Sequence, residues 1–220
     1  MKMRKALSVC IPLMLCFAAP LAAQSGTALT LQAGTLGVKA GVVRTLSATF
    51  NARFGVAFMN YNYSGETTGE DPIAYDVGMN LLSAGLLADY HPFGNAFRLT
   101  GGLVLNNNIF DASAEAVNTY EYDGETYTPR EIGTLTGEMK PGLPVSPYLG
   151  FGFGNPVGGL KRVGFYMDVG VLYTGSPDVT LEADEDAMIY PTADQDEQVE
   201  DDLSGIRIYP VVEIGMSYRL

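Results

Sequence analysis

Cysteine is scarce in this chain, and the two that it has lie close to its start. Cys10 and Cys16 fall in segment 1–23, which opens with three basic residues in its first five positions, continues with an apolar run and ends in small residues. That order is typical of a secretory signal peptide, and we expect cleavage after Ala23. The mature chain, residues 24–220, then has no cysteine, so a packed core or lipid has to stabilise it in place of disulfides.

Long hydrophobic runs and positive charge are also lacking. Beyond residue 23 no segment approaches the ~18 uninterrupted apolar residues that a membrane-spanning helix needs. Removing segment 1–23 takes away three of the 13 basic residues and none of the 25 acidic ones, which leaves a formal charge of −15. This balance argues against nucleic acid as a partner, because binding to phosphates requires a basic surface.

Histidine occurs once, at His91. A hydrolytic site usually pairs a nucleophile with a general base such as histidine. His91 stands in the sequence His-Pro-Phe-Gly, which predicts a turn, and no serine or acid pattern accompanies it. We therefore expect a protein that is not an enzyme, with no catalytic residues and no cofactor.

What the chain does contain is period-two alternation. From Ile206 to Leu220 the even positions hold apolar residues or proline, while the odd positions are mostly polar or small. The same pattern recurs in segments 50–58, 97–106, 149–154 and 163–173. Such strands are apolar on one side only, and in an outer-membrane barrel that side faces lipid while the other faces the lumen. A membrane protein without helices has to be a closed barrel, because lipid satisfies no backbone hydrogen bonds.

The lengths of the predicted connections favour a barrel over a sandwich. Segments 44–49, 91–96 and 154–161 are short, whereas 64–73, 113–143 and 175–205 are longer, and the two kinds alternate. Transmembrane barrels have short periplasmic turns and long extracellular loops. Seven strands are evident, and because such barrels have even strand numbers we predict an eighth at Ala28–Ala33, turning at Gly34–Thr35. The expected fold is an all-β, eight-stranded antiparallel up-and-down transmembrane barrel.

Two local features refine this expectation. Aromatic residues are predicted to form two girdles at the membrane surfaces. The periplasmic girdle comprises Phe50, Tyr90, Phe97, Phe153, Phe165 and Tyr218, and the outer one Tyr61, Tyr63, Tyr75, Phe110 and Tyr173. Within segment 74–90 the alternation shifts near Leu81–Leu82, which indicates a β-bulge.

Five stretches of the chain resemble the small OmpA/OmpX-like outer-membrane barrels, and within them a proteobacterial group of uncharacterised function. The stretches are Leu86–Leu99, Gly124–Gly137, Pro147–Asn155, Asp168–Pro177 and Tyr209–Leu220. The last resembles the C-terminal signal that the barrel-assembly machinery reads, although it ends in Leu220 where that signal usually has phenylalanine. The resemblance implies an eight-stranded barrel in the outer membrane of a Gram-negative bacterium, and it implies no catalytic residues.

Charged residues of both signs fall on the predicted lumen side of the strands. They are Lys39, Arg53, Arg98, Asp168, Arg207, Glu213 and Arg219. An eight-stranded barrel is so narrow that side chains fill it, so we expect these charges to pair into a plug. A narrow channel for small solutes, porin-like in function, is the alternative.

The two long connections have features of their own. Segment 175–205 holds eleven acidic residues and no basic one, and Thr192 could cap a helix running towards Leu203. Hard cations prefer carboxylate oxygens, so candidate cation contacts are Asp194, Asp196, Glu197, Glu200, Asp201 and Asp202; a solvated acidic face is the alternative. In segment 113–143, Asp123–Gly124 predicts a hairpin and Thr128–Glu131 a capped helical turn.

Together these patterns predict a non-enzymatic integral outer-membrane protein with a structural or surface-interaction role through its acidic extracellular loops. Its expected partners are outer-membrane lipid and lipopolysaccharide, and the barrel-assembly machinery during biogenesis. We expect it to be a monomer.

Overall fold

The computed structural model describes residues 26–68, 72–122, 125–158, 161–183, 205 and 207–220. These residues form thirteen strands and one helical turn. The strands are β1 (Thr27–Gly34), β2 (Gly37–Thr45), β3 (Phe50–Glu66), β4 (Ile73–Tyr90), β5 (Phe97–Asn106), β6 (Ile109–Ala116), β7 (Tyr120–Tyr122), β8 (Glu125–Tyr127), β9 (Thr134–Lys140), β10 (Val145–Phe153), β11 (Val163–Tyr173), β12 (Asp178–Ala183) and β13 (Ile208–Arg219), and the turn is α1 (Pro129–Ile132). Within the described part of the chain, no helix is long and apolar enough to cross a membrane.

Eight of the strands pair in a closed ring. Their order is β1–β2–β3–β4–β5–β10–β11–β13, every pair is antiparallel, and β13 pairs back with β1. The predicted first strand is present as β1, and residues 35–36 form the turn into β2. The ends of β2, β4 and β10 and the starts of β3, β5 and β11 lie at the same end of the ring as Leu220, which we call the lower end.

The remaining long strands continue the wall above the ring. Strands β6, β9 and β12 pair in that order beside the upper part of β4, which itself pairs with the upper part of β3. We call this five-stranded region, built from residues 59–66 of β3, 73–80 of β4, β6, β9 and β12, the upper sheet. The long connections predicted at 113–143 and 175–205 are therefore shorter than expected, since β9 lies in the first and β12 in the second.

The predicted bulge near Leu81–Leu82 is also wrong where β4 meets β3. These two strands pair without interruption from Phe50↔Tyr90 to Glu66↔Ala74. What changes at that level is the polarity of the two faces. The outward face holds the exposed Phe54, Phe58, Leu82 and Leu86 around the ring, but Asn60, Asn62, Asp76 and Asn80 in the upper sheet. When the apolar residues of a continuous strand move from its outward to its inward face, the sequence shows the same change of parity as a bulge would produce.

That switch also overturns most of the predicted outer girdle. Tyr61 and Tyr63 have the same parity along β3 as the inward-facing Arg53 and Ala57, so they lie on the inner face of the wall, above the ring. Tyr75 and Phe110 lie on the same inner face through the pairing of β3, β4 and β6. Of the five residues, Tyr173 does face outward at the top of the ring, where 45% of its surface is exposed.

Two layers fill the ring. The upper layer is an apolar cluster of Leu36, Ala57, Val104, Tyr148, Leu172 and Val211. The Tyr148 ring fits because two paired glycines face it: a Cβ added to Gly150 or Gly170 would lie within 2.6 Å of the tyrosine hydroxyl. The lower layer is ionic.

Candidate functional site

The lower layer of the ring is built from four charged side chains, which we call the ion cluster: Arg53, Arg98, Asp89 and Asp168. Each sits at an inward position of a different strand, β3, β5, β4 and β11. All four are buried, with at most 6% of the residue surface exposed. Four strands of the closed wall thus bring together residues that are far apart in the sequence.

Asp168 is the centre of the cluster. It accepts hydrogen bonds from Arg53 Nη1 at 2.8 Å and from Nη2 at 3.2 Å, and from Arg98 Nη2 at 2.8 Å. Asp89 completes the square, with its carboxylate 2.9 Å from Arg53 Nε and 3.7 Å from Arg98 Nε. Two cations and two anions leave the cluster neutral, which is the arrangement that buried charges require.

Polar neighbours and an aromatic ring add further contacts to the ion pairs. The Thr100 hydroxyl donates to Asp89 at 2.7 Å, and Arg98 also donates to the carbonyl oxygens of Gly154 and Met167. The Arg98 guanidinium lies 5.1 Å from the centre of the Tyr166 ring, which adds a cation–π contact.

A second ion pair extends the network upward. Lys39 Nζ lies 2.5 Å from the Glu213 carboxylate. Gln32 joins the two groups, because its amide donates to Glu213 at 3.1 Å and to Asp168 at 3.2 Å. The interior beside this pair contains a cavity of about 20 Å³, which is room for about one water molecule.

Of the seven charged residues that the sequence places in the lumen, the structure brings five together: Lys39, Arg53, Arg98, Asp168 and Glu213. The other two lie at opposite ends of β13, Arg207 just above the strand and Arg219 at its last residue. Sequence reasoning missed Asp89 and Gln32. An unbroken alternation through β4 would have revealed Asp89, but the supposed bulge at Leu81–Leu82 concealed its inward parity.

His91 belongs to the seal of the lower end. It is 3% exposed, and its ring contacts the Asn51 side-chain amide through Nε2 and the Asn95 carbonyl oxygen through Nδ1, both at 3.1 Å. Asn51 also donates to Asn155 at 3.4 Å. The histidine therefore ties the connection 91–96 to β3, and Asn51 in turn ties β3 to the connection after β10.

The insertion between β6 and β9 has the local structure that the sequence predicts. Strands β7 and β8 form a hairpin around Asp123–Gly124, two residues that lie outside the described ones. The α1 turn follows, with the Glu131 carboxylate accepting hydrogen bonds from the Thr128 amide and hydroxyl at 2.8 and 2.7 Å. The bonds to Thr128 hold the pKa of Glu131 below its ordinary value.

Asp194, Asp196, Glu197, Glu200, Asp201 and Asp202, together with the helix predicted from Thr192, lie outside the described residues. Among the residues that are described, no group of three or more histidine, cysteine or acidic side chains is arranged to hold a metal ion.

Comparison with known proteins identifies the fold. No protein-family model and no curated protein matches the chain. The structure is similar to that of Acinetobacter baumannii CarO2, with 22% identity, a TM-score of 0.63, and coverage of 89% of this chain and 98% of that one. It is also similar to Acinetobacter baumannii CarO, with 18% identity, a TM-score of 0.61, and coverage of 90% and 98%.

At these identities the similarity concerns the fold. The chain has an all-β antiparallel architecture like that of the CarO structures, over nearly the whole length of both. The closer resemblance to the OmpA/OmpX-like group stays a prediction.

Proposed function

We propose that this chain is an integral outer-membrane barrel of a Gram-negative bacterium, with its eight-stranded ring in the bilayer and its upper sheet outside the cell. The observation that carries the proposal is the belt of exposed apolar side chains around the ring. On β3 and β4 it runs from Phe50 and Tyr90 to Phe58 and Leu82, each 39–62% exposed. A water-soluble protein would have to hide such a belt, whereas lipid solvates it.

The height of the belt agrees with a bilayer. Phe50 and Phe58 are eight residues apart, which is ~26 Å along a strand at ~3.3 Å per residue. With a strand tilt of ~40°, that becomes ~20 Å along the membrane normal, close to the ~25 Å apolar band of outer-membrane barrels. The outward face becomes polar at Asn60 and Asn80, where the belt would meet the headgroups.

The filled interior favours a non-enzymatic structural or surface role over a channel. The ion cluster closes the lower half of the ring and the apolar cluster closes the upper half. A solute would have to separate buried ion pairs to pass, which is costly in a low dielectric. The outward-facing upper sheet and the acidic segment are then the parts that meet lipopolysaccharide, cations or other partners.

Biogenesis would follow the route of other barrels. The resemblance of residues 209–220 to the assembly signal supports recognition by the barrel-assembly machinery. Each ring strand is paired on both sides, so the ring needs no second copy to satisfy its edges, which supports a monomer.

Single cysteines placed in a chain that otherwise has thiols only at Cys10 and Cys16 test the orientation in intact cells. A membrane-impermeant maleimide should label Ser113→Cys in the upper sheet. It should reach Ser47→Cys, in a lower connection, only after the outer membrane is permeabilised. Ile214→Cys should react with a lipid-soluble reagent alone. Labelling of Ser47→Cys in intact cells would show that the orientation is the reverse of the one proposed. Labelling of all three positions by the impermeant reagent would contradict insertion of the ring in a membrane.

Planar bilayers distinguish the plugged barrel from the narrow channel. The purified full-length protein should give no steady current in sodium chloride, because two side-chain layers fill the ring. A steady wild-type conductance that shifts in Arg98→Met would favour the channel.

A role for the acidic segment in binding cations has its own measurement. Millimolar calcium, the range of weak extracellular sites, should slow protease cleavage between residues 184 and 204 more than sodium at matched ionic strength. Neutralising the six candidate acids named above should abolish the difference. Equal protection by both salts would indicate a solvated acidic face.

A further inference from the structure

The upper sheet has one polar face and one apolar face, and the apolar face continues the inner wall of the ring. Because the β3–β4 register is unbroken, the alternate residues that point into the ring lower down are followed above it by Tyr61 and Tyr63 on β3 and by Val77 and Tyr75 on β4. The pairing of β6 and β9 extends the face to Phe110 and Leu135. The ring thus opens upward into a concave apolar surface.

This surface is not packed like a core. The exposed fractions are 52% for Tyr61, 51% for Tyr63, 40% for Val77 and 41% for Leu135. The outer face of the same sheet is polar and is the face that suits contact with water, so the exposure of the apolar inner face is unusual. A sheet that is apolar on one face is stable when that face is covered. The apolar cluster of the ring lies below this surface and fills the lumen, so the surface does not open into a passage through the ring.

One corner of the surface is already a cavity. The α1 turn brings Ile132 over the sheet and leaves a space of about 180 Å³, lined mainly by Ile73, Ala114, Ala116, Ile132, Leu135 and Ala183. An apolar cavity of ~150 Å³ can hold benzene. The space therefore fits a ring or a short branched chain.

Charge selects among ligands of that size. Around the sheet, in ranges 59–68, 72–80, 107–119, 126–144 and 174–183, there are eight carboxylates and two basic side chains, and most of the carboxylates occupy outward positions of the strands. Glu115 also borders the cavity, but its pairing with Ala74 and Thr134 places its side chain on the outer face of the sheet. Tyr63 and Tyr75 lie beside the cavity on the inner face, with ring centres 6.2 Å apart, and the faces of such rings attract cations. Anions would be repelled by the surrounding field.

We propose that the inner face of the upper sheet binds a small amphipathic cation, a molecule with an apolar body of about benzene size and one positive charge. The apolar body occupies the cavity beside Leu135 and Ile132, and the charge lies towards the faces of the two tyrosines. The proposal rests on the proposed function only in that the upper sheet faces water outside the cell.

Three probes of similar size and different charge test the ligand class on the full chain in a non-ionic detergent, whose headgroup carries no cation that could compete. Benzyltrimethylammonium should bind saturably by calorimetry, benzyl alcohol about tenfold more weakly, consistent with the loss of one cation–π contact, and benzoate more weakly still. Equal affinities for all three, or no saturable binding of the cation, would overturn the proposal. Binding in detergent does not depend on where the protein resides in the cell, so this failure is distinct from a failure of the proposed function.

Variants locate the site. Tyr63→Leu keeps an apolar side chain but removes the aromatic face, so it should weaken the cation about five- to tenfold and leave benzyl alcohol unchanged. Leu135→Gln should weaken both. Thr136→Ala, one residue along β9 and on the outer face, is the matched control and should change neither. An unchanged preference for the cation in Tyr63→Leu would contradict the assignment.

The chain's own acidic segment is the competing occupant. A variant in which residues 186–202 are replaced by a short Gly-Ser linker should bind the cation within a few-fold of the wild type. If binding appears only in that variant, the chain itself covers the face and the proposal is wrong.

Discussion

Replacing Asp168 with asparagine should destabilise the ring more than any other single neutralisation of an interior charge. Asp168 is 1% exposed and accepts hydrogen bonds from Arg53, Arg98 and Gln32. Asparagine keeps the shape but removes the negative charge, so two buried guanidinium groups are left to share Asp89. Breaking a buried ion pair from one side costs ~3–5 kcal/mol, because the remaining charge stays out of water without compensation.

Two variants separate this explanation from a loss of packing. Glu213→Gln removes a buried carboxylate from a pair whose lysine side chain is 14% exposed; the lysine can turn to water, so we expect a smaller cost of ~1–3 kcal/mol. Asp168→Asn combined with Arg53→Met restores equal numbers of positive and negative charges, and it should recover at least half of the lost stability.

Reversible urea unfolding from lipid vesicles, followed by circular dichroism, gives the free energy of unfolding for each variant. A cost below ~1 kcal/mol for Asp168→Asn would show that water reaches the cluster and screens it. Additive effects of Asp168→Asn and Arg53→Met would contradict the direct pairing of the two residues.

Three further predictions concern single positions. Val169→Arg lies on the outward face between Phe151 and Val212 and should lower the free energy of unfolding by ~2–4 kcal/mol, whereas Asn62→Arg above the belt should lower it by ~0–1 kcal/mol. Similar values for the two variants in vesicle refolding would contradict this position of the belt. Gly170→Ser should be destabilising by ~1–3 kcal/mol, because a Cβ there would lie 2.5 Å from the Tyr148 hydroxyl and 2.7 Å from the Leu149 carbonyl oxygen. Gly101→Ala, whose nearest neighbour would be 3.8 Å away, should be mild in the same assay. The lowered pKa of Glu131 means that its stabilisation of the α1 turn is present above the ordinary pKa of a glutamate and is lost as pH falls through the lowered value. The protection of the Thr128 amide against hydrogen exchange, measured relative to its intrinsic exchange rate at each pH, should therefore fall in acid, and Glu131→Gln should remove that pH dependence if the carboxylate causes it.

Much of the ring could be predicted from the sequence because a half-apolar strand imposes a strict rule on every second residue. The alternation through Ile208–Arg219 sets which side chains face in, and Glu213 at 2% exposure beside Val212 and Ile214 at 46% and 66% follows it. The capped turn at Thr128–Glu131 could be predicted equally well, because its hydrogen bonds join residues that are close together in the chain.

The upper sheet could not be predicted because its strands follow the opposite rule. Strands β9 and β12 have apolar residues at Leu135 and Leu181 facing the concave side and polar ones facing out. They are short, and the turns that precede β10 and β12 separate them from ring strands of the opposite pattern. Their partners lie on β6 and on one another, so only pairing through space reveals them as strands.

The sequence by itself therefore determined the alternating strands, their inward and outward faces within the ring, and the local turns, because each depends on residues close together in the chain. Tertiary structure alone decided which charges meet. Arg53, Asp89, Arg98 and Asp168 come from four strands, and their contacts depend on the closure of the ring and on the register of each pair. It also decided that the wall reverses its polarity above Phe58 and Leu82, because that reversal becomes visible only when the β3–β4 register is known to continue unbroken.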